Sequence, residues 1–188
     1  TASTAIYRTA ARILSQTILK SAIVRTIYVR RSAAAGEAVF PLSDLDLAMV
    51  IDPVPGAEIE SLRRRYRLAR LVFPRLGECQ VFAGDDLREF ALTDPYRASL
   101  DRRHSVTAFG PPPPIPNEPI PLTETARRLV FWFDPYVATA LRQGNRRNLR
   151  KFALEMANAL GVLEGRWPEP LASRRETAAR CDVPRDNC

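Results

Sequence analysis

Two carboxylates stand two residues apart in Ser43-Asp44-Leu45-Asp46-Leu47, at the start of an apolar run that continues to Ile51. The run DLDLAMVI is aliphatic and ends at Asp52-Pro53, which predicts a strand over 44–51. Residues i and i+2 of a strand face the same side, about 7 Å apart at their α-carbons. Asp44 and Asp46 then lean out together, while Leu45 and Leu47 enter the core. Two like charges so placed repel each other, and a divalent cation relieves the repulsion. Their hard oxygens suit Mg²⁺ or Mn²⁺. Two such ions can bridge an attacking hydroxyl and the phosphorus it attacks. A bare Asp-x-Asp also ends many strands at solvent without any such role.

The elements around this pair must hold it in place. Ile6, Ala10, Ile13, Leu14 and Ile18 recur at helical spacing and predict a helix over 3–21. IVRTIYV predicts a strand over 23–29, followed by the small-residue, turn-rich RRSAAAGEAVFPLS. A basic amphipathic helix is expected over 57–73, a short strand ECQVF over 78–82, and a helix opened by Asp85 and Asp86. A further helix over 95–103 and a strand VTAF over 106–109 complete a first domain, 1–110. Residues 111–121, PPPPIPNEPIP, hold seven of the sixteen prolines and read as a stiff linker. Helices over 123–142 and 145–163, hinged at Gly144, form a helical C-terminal region, 122–188, with a polar tail from Arg166. The expected fold class is α/β (α+β), a short mixed sheet flanked by helices and followed by helices.

Residues 27–51, IYVRRSAAAGEAVFPLSDLDLAMVI, carry a resemblance. A strand, Ser32, the small-residue segment AAAG, a loop and then Asp-Leu-Asp follow in order. This stretch resembles the polymerase-β-type nucleotidyltransferase superfamily, and weaker similarity extends over roughly residues 5–110. The resemblance implies a metal-dependent transferase that uses a nucleoside triphosphate, ATP in the first instance. Asp44 and Asp46 would bind Mg²⁺ or Mn²⁺. Ser32 and the amides that follow it would hold the terminal phosphates, with Ser43 and Arg31 beside them. The acceptor, which is a small molecule, a protein side chain or an RNA end, is not specified. A homo-oligomer or a partner subunit is equally open.

Two positions depart from the family pattern. Arg31 stands where the family has the glycine that lets the backbone approach phosphate. It either adds a charge for the phosphates or blocks the site. The family's third carboxylate lies on the next strand, where ECQVF offers Glu78 and Gln80 on one face. Counting back from the following helix points to Gln80, which cannot take a proton from a hydroxyl. Glu78 is therefore the candidate third carboxylate and metal ligand, with Gln80 as the alternative. The departures also allow a catalytically weak or inactive binding module, antitoxin-like in character. A basic nucleic-acid-binding domain is a third reading.

The chain has 188 residues, is 46% hydrophobic, and carries a net charge of +7. That suits a folded protein with an anionic partner. Its 28 basic residues include only two lysines, Lys20 and Lys151, an arginine bias that suggests a high-GC, bacterial coding sequence. Five basic residues fall within ten at Arg142, Arg146, Arg147, Arg150 and Lys151. Arg147 and Lys151 share a helix face. By resemblance a helical C-terminal region supplies a basic residue to the triphosphate, and Lys151 is the candidate. A solvated basic face explains the cluster equally well.

His104 reads as a surface or packing residue rather than a base. FWFDPY at 131–136 reads as core packing rather than a base-stacking platform, with Trp132 and Tyr136 as the members to test. Asp52 before Pro53 reads as a turn former, and Cys79 as a core residue. Cys79, Cys181 and Cys188 lack metal-ligand spacing, and their odd count suits a reducing cytoplasm better than a disulfide scaffold. Residues 1–36 contain six basic residues and no acid, as a transit peptide would. The strand that follows at once assigns them to the fold. No apolar run is long enough for a membrane span.

Overall fold

A computed structural model describes residues 1–117 and 121–165. The side chains of Arg147, Ala157 and Asn158, and the tail from Arg166 with Cys181 and Cys188, fall outside the described residues. The chain divides into two units, Thr1–Glu118 and Pro119–Cys188.

The first unit is a mixed sheet with helices on both faces. Helix α1 spans Ala2–Leu14 and continues into a π-helical turn, Ser15–Leu19, so the single helix expected over 3–21 is two segments. Strand β1 is Val24–Val29, and a one-turn helix α2, Arg31–Ala35, follows directly. Gly36 closes α2 at φ 84°, a left-handed position that glycine reaches without steric cost, and its N–H donates to the Ser32 carbonyl. Strand β2 is Leu45–Ile51, and helix α3, Gly56–Val72, leads to β3, Leu76–Ala83. Helices α4 (Asp86–Thr93) and α5 (Pro95–His104) then lead to β4, Val106–Phe109. Asp94 caps α5 by accepting from the Arg97 N–H, and Pro95 opens it with the φ a first turn needs.

The strand order is β3-β2-β1-β4. β1 pairs antiparallel with both β2 and β4, and β2 pairs parallel with β3 across the α3 crossover. Alternation along the strands makes two apolar faces. Ile27, Val29, Leu45, Leu47 and Met49 enter one core with Tyr7, Ala11 and Leu14 of α1 and Leu62 and Ala69 of α3. Tyr28, Ala48 and Phe82 enter the other with Leu87, Ala91 and Ala98 of α4 and α5. Central β2 is covered on both faces beyond Asp46, which explains the aliphatic run from Leu47 to Ile51.

The proline-rich stretch is partly docked rather than simply extended. Ile115 is buried in the second core, the Thr26 hydroxyl donates to the Pro111 carbonyl at 3.0 Å, and Arg102 donates to the Pro116 carbonyl at 3.2 Å.

In the second unit, α6 (Leu122–Arg142) and α7 (Arg146–Leu163) are joined by a short turn at Gly144. Asn145 caps α7 by accepting from the Asn148 N–H. Phe133 and Phe152 stack between them at 6.0 Å. Among the described residues, no helix is long and apolar enough to cross a membrane.

Candidate active site at the edge of the sheet

The local geometry begins with the turn before β2. The Val39 carbonyl accepts from the Leu42 and Ser43 N–H groups, and the Ser43 hydroxyl accepts from the Val39 N–H at 3.0 Å. The buried Tyr7 hydroxyl donates to the Ser43 carbonyl. Ser43 therefore fixes the loop that delivers the acidic pair. Asp44 lies just before β2 rather than inside a strand from residue 44, and Asp46 is the second residue of the strand.

Both aspartate side chains nonetheless start beside Gly77 of β3. A methyl group placed on Gly77 would lie 2.6 Å from Asp46 Oδ1 and 2.9 Å from Asp44 Cβ. Gly77 in β3 is therefore the floor over which both side chains pass, and any larger residue would displace them. An isolated glycine inside a strand often marks such an approach, and LGECQ contained that signal unread. Asp46 Oδ1 also accepts from the Glu78 N–H at 2.9 Å, which ties the acidic pair to β3.

Glu78, Gln80 and Phe82 share the face of β3 that looks toward Asp46, whereas Cys79 packs against the opposite core. Burial pushes the Cys79 thiol up to about 12, so it is inert. Glu78 is the carboxylate beside Asp46. Gln80 lies deeper, donating to Glu78 Oε1 at 3.3 Å and accepting from Arg30 Nη1.

Two arginines organise the charges. Arg30 is 3% exposed and pairs through Nε with Asp101 at 2.5 Å. Its guanidinium also stands over the Phe90 ring, 5.6 Å from the centroid. Burial pushes the Asp101 carboxyl up to about 6, opposed by Arg30. Arg31 is 43% exposed, with Nη2 2.6 Å from Glu78 Oε2 and Nη1 3.6 Å from Asp46 Oδ2. Its φ is 55°, a left-handed value that a side chain makes costly. Arg75 Nη1 stands 4.0 Å from Asp44, which is 62% exposed. Arg30, Asp101 and Arg75 carried no signal in the sequence, because nothing marks which distant residues a sheet will bring together.

Among the described residues, no group of three His, Cys, Asp or Glu side chains is placed as a ready metal cage. The donor chemistry still fits a divalent ion. Arg75 stands 4.0 Å from Asp44 and Arg31 stands 3.6 Å from Asp46 Oδ2, both at the loose end of the ion-pair range. Mg²⁺ commonly takes only one or two carboxylates and completes its shell with phosphate and water.

The other sequence candidates fall elsewhere. Ser32, half-buried in α2, follows Arg31, and its carbonyl accepts from the Glu37 and Ala38 N–H groups. Lys151 belongs to the second unit, exposed, with its ammonium 5.9 Å from the Phe152 ring centroid. Arg147 lies on the same helix, its side chain outside the described residues. His104 is the last residue of α5 and is half-buried. Asp52 pairs with Arg25 at 2.7 Å. In FWFDPY, Phe133 and the half-exposed Tyr136 both pack on Phe152 of α7, while Phe131 and Trp132 are exposed. Packing thus describes Phe133 and Tyr136 and not the whole motif. Compared with the models of known protein families and with curated protein sequences, the chain matches none.

Proposed function

We propose that the first unit is a metal-dependent nucleotidyltransferase domain that moves a nucleoside monophosphate from an NTP to a hydroxyl of an acceptor. The observation that carries this reading is the placement of Asp46 and Glu78 on neighbouring strands, joined by the Glu78 N–H to Asp46 Oδ1 bond and bridged by Arg31, with Asp44 two residues before Asp46. Asp44 and Asp46 would hold Mg²⁺ or Mn²⁺, which neutralises charge developing on the attacked phosphoryl group. The acceptor oxygen bonds to the α-phosphorus as the bond from that phosphorus to the bridging oxygen breaks. Pyrophosphate leaves with the bonding pair. The hydroxyl proton passes to the Glu78 carboxylate, a role Gln80 cannot fill. Ser32, on the turn beside Asp46 and Glu78, is the proposed phosphate ligand of the first unit. A small molecule, a protein side chain or an RNA end would each supply the hydroxyl.

The test is pyrophosphate release from ATP with a panel of acceptors and a Mg²⁺ or Mn²⁺ titration. Release that requires the ion and disappears in Asp44→Asn supports the transferase. Release indifferent to both rejects it.

The Arg31 bridge favours a second reading, a nucleotide- or partner-binding module without turnover. An arginine already neutralises part of the acidic face there. Saturable ATP binding with no pyrophosphate from any acceptor identifies this case.

A further inference from the structure

Arg31 is one of the two positions at which the chain departs from the pattern of the family it resembles, and its geometry is informative. Its guanidinium bridges the carboxylates of β2 and β3, tightly to Glu78 at 2.6 Å and loosely to Asp46 at 3.6 Å. Both ends of the tight contact are near half exposed, 43% for Arg31 and 46% for Glu78. Exposed pairs of this kind contribute little stability and are readily exchanged for another partner. Nor is the backbone indifferent, since Arg31 keeps φ at 55°, where glycine would sit without penalty. Neither the weak pair nor the costly backbone accounts for an arginine here on grounds of stability.

A guanidinium matches phosphate oxygens at least as well as carboxylate oxygens, in the same forked geometry. We propose that Arg31 is a ligand for the polyphosphate of the nucleotide that is parked on Asp46 and Glu78 in the free protein. In the parked position it screens the two carboxylates and lowers their affinity for a divalent ion. When the triphosphate arrives, the guanidinium transfers to its oxygens and both carboxylates are released. Ion and nucleotide therefore bind with positive coupling, and the coupling is reciprocal. Arg30 does not take part, because Asp101, Gln80 and Phe90 hold it in the interior.

This inference rests on the transferase reading, and the two fail differently. The experiment uses the full chain and its Arg31→Gln and Arg31→Gly variants, the second relieving the backbone. Circular dichroism and thermal melting establish that each is folded. Mn²⁺ alone is titrated by electron paramagnetic resonance of the free ion. Both variants are expected to bind it about tenfold more tightly than the parent chain. A non-hydrolysable ATP analogue is titrated without divalent ion, and both variants are expected to bind it about tenfold more weakly. Unchanged Mn²⁺ affinity, or unchanged analogue affinity, in a folded Arg31→Gln chain overturns the inference and leaves the transferase reading standing. A parent chain that binds neither Mn²⁺ nor the analogue overturns both.

Discussion

Arg30 is 3% exposed and wedged between Asp101, Gln80 and the Phe90 ring, whereas Arg31, the next residue, is 43% exposed and reaches Asp46 and Glu78 at the rim. The two side chains have the same chemistry and opposite situations. β1 ends at Val29, so Arg30 still follows the strand's alternation and enters the face under α4 and α5. Arg31 begins α2 with a left-handed backbone, which turns it out to the edge. The interior arginine is bound to the fold, and removing it strands a buried charge. The rim arginine is bound to the site, and removing it leaves water in its place.

The two arginines should differ most in what they contribute to stability. At neutral pH Arg30→Ala leaves Asp101 buried without its partner and should cost about 3–5 kcal/mol in urea denaturation. If Arg30→Ala proves as mild as a surface substitution, the interior pair is not what anchors α5.

Next in size is Gly77→Ala. The added methyl meets Asp46 Oδ1 at 2.6 Å and Asp44 Cβ at 2.9 Å, so the acidic pair must shift. Overpacking of this kind costs about 1–3 kcal/mol. Turnover should fall by about tenfold or more, because catalysis is sensitive to small displacements. Full activity in Gly77→Ala would mean that the pair does not act from this position.

The interior carboxyl also gives a signed pH effect. The Asp101 carboxyl is raised in the folded state from 3.8 to about 6, mainly by burial. Between those values the folded chain holds the proton more firmly than the unfolded chain. This group's contribution is therefore complete below the lower value and is lost as pH rises through about 6. The loss is on the order of 3 kcal/mol. Denaturation midpoints of the parent chain and Asp101→Asn between pH 4 and 7 check the sign, since only the parent should show this decline.

The smallest stability effect belongs to Arg31→Ala, about 0–1 kcal/mol, as expected for exposed pairs. A loss comparable to that of Arg30→Ala would erase the distinction between the two arginines.

The fold was legible because its signals are local. The apolar spacing of α1, the aliphatic run of β2 and the proline cluster each announce themselves within a few residues. The acidic pair was legible for the same reason, although Asp44 falls just outside its strand. What the sequence could not supply were contacts made across the sheet. The side chains of Glu78 and Gln80 share a face of β3, and only the position of Arg30 separates their roles: it engages Gln80 and leaves Glu78 at the rim. Docking of Ile115 in the second core is likewise a tertiary event, invisible in a run of prolines.

The most direct measurement is transfer of radiolabel from α-labelled ATP in Mn²⁺, with the parent chain and Asp46→Asn assayed against the same acceptors. Label should move to acceptor with matching pyrophosphate in the parent, and the rate should fall by about a hundredfold or more in the variant. Transfer at the parental rate in Asp46→Asn would contradict the assignment of this edge of the sheet as the site of chemistry.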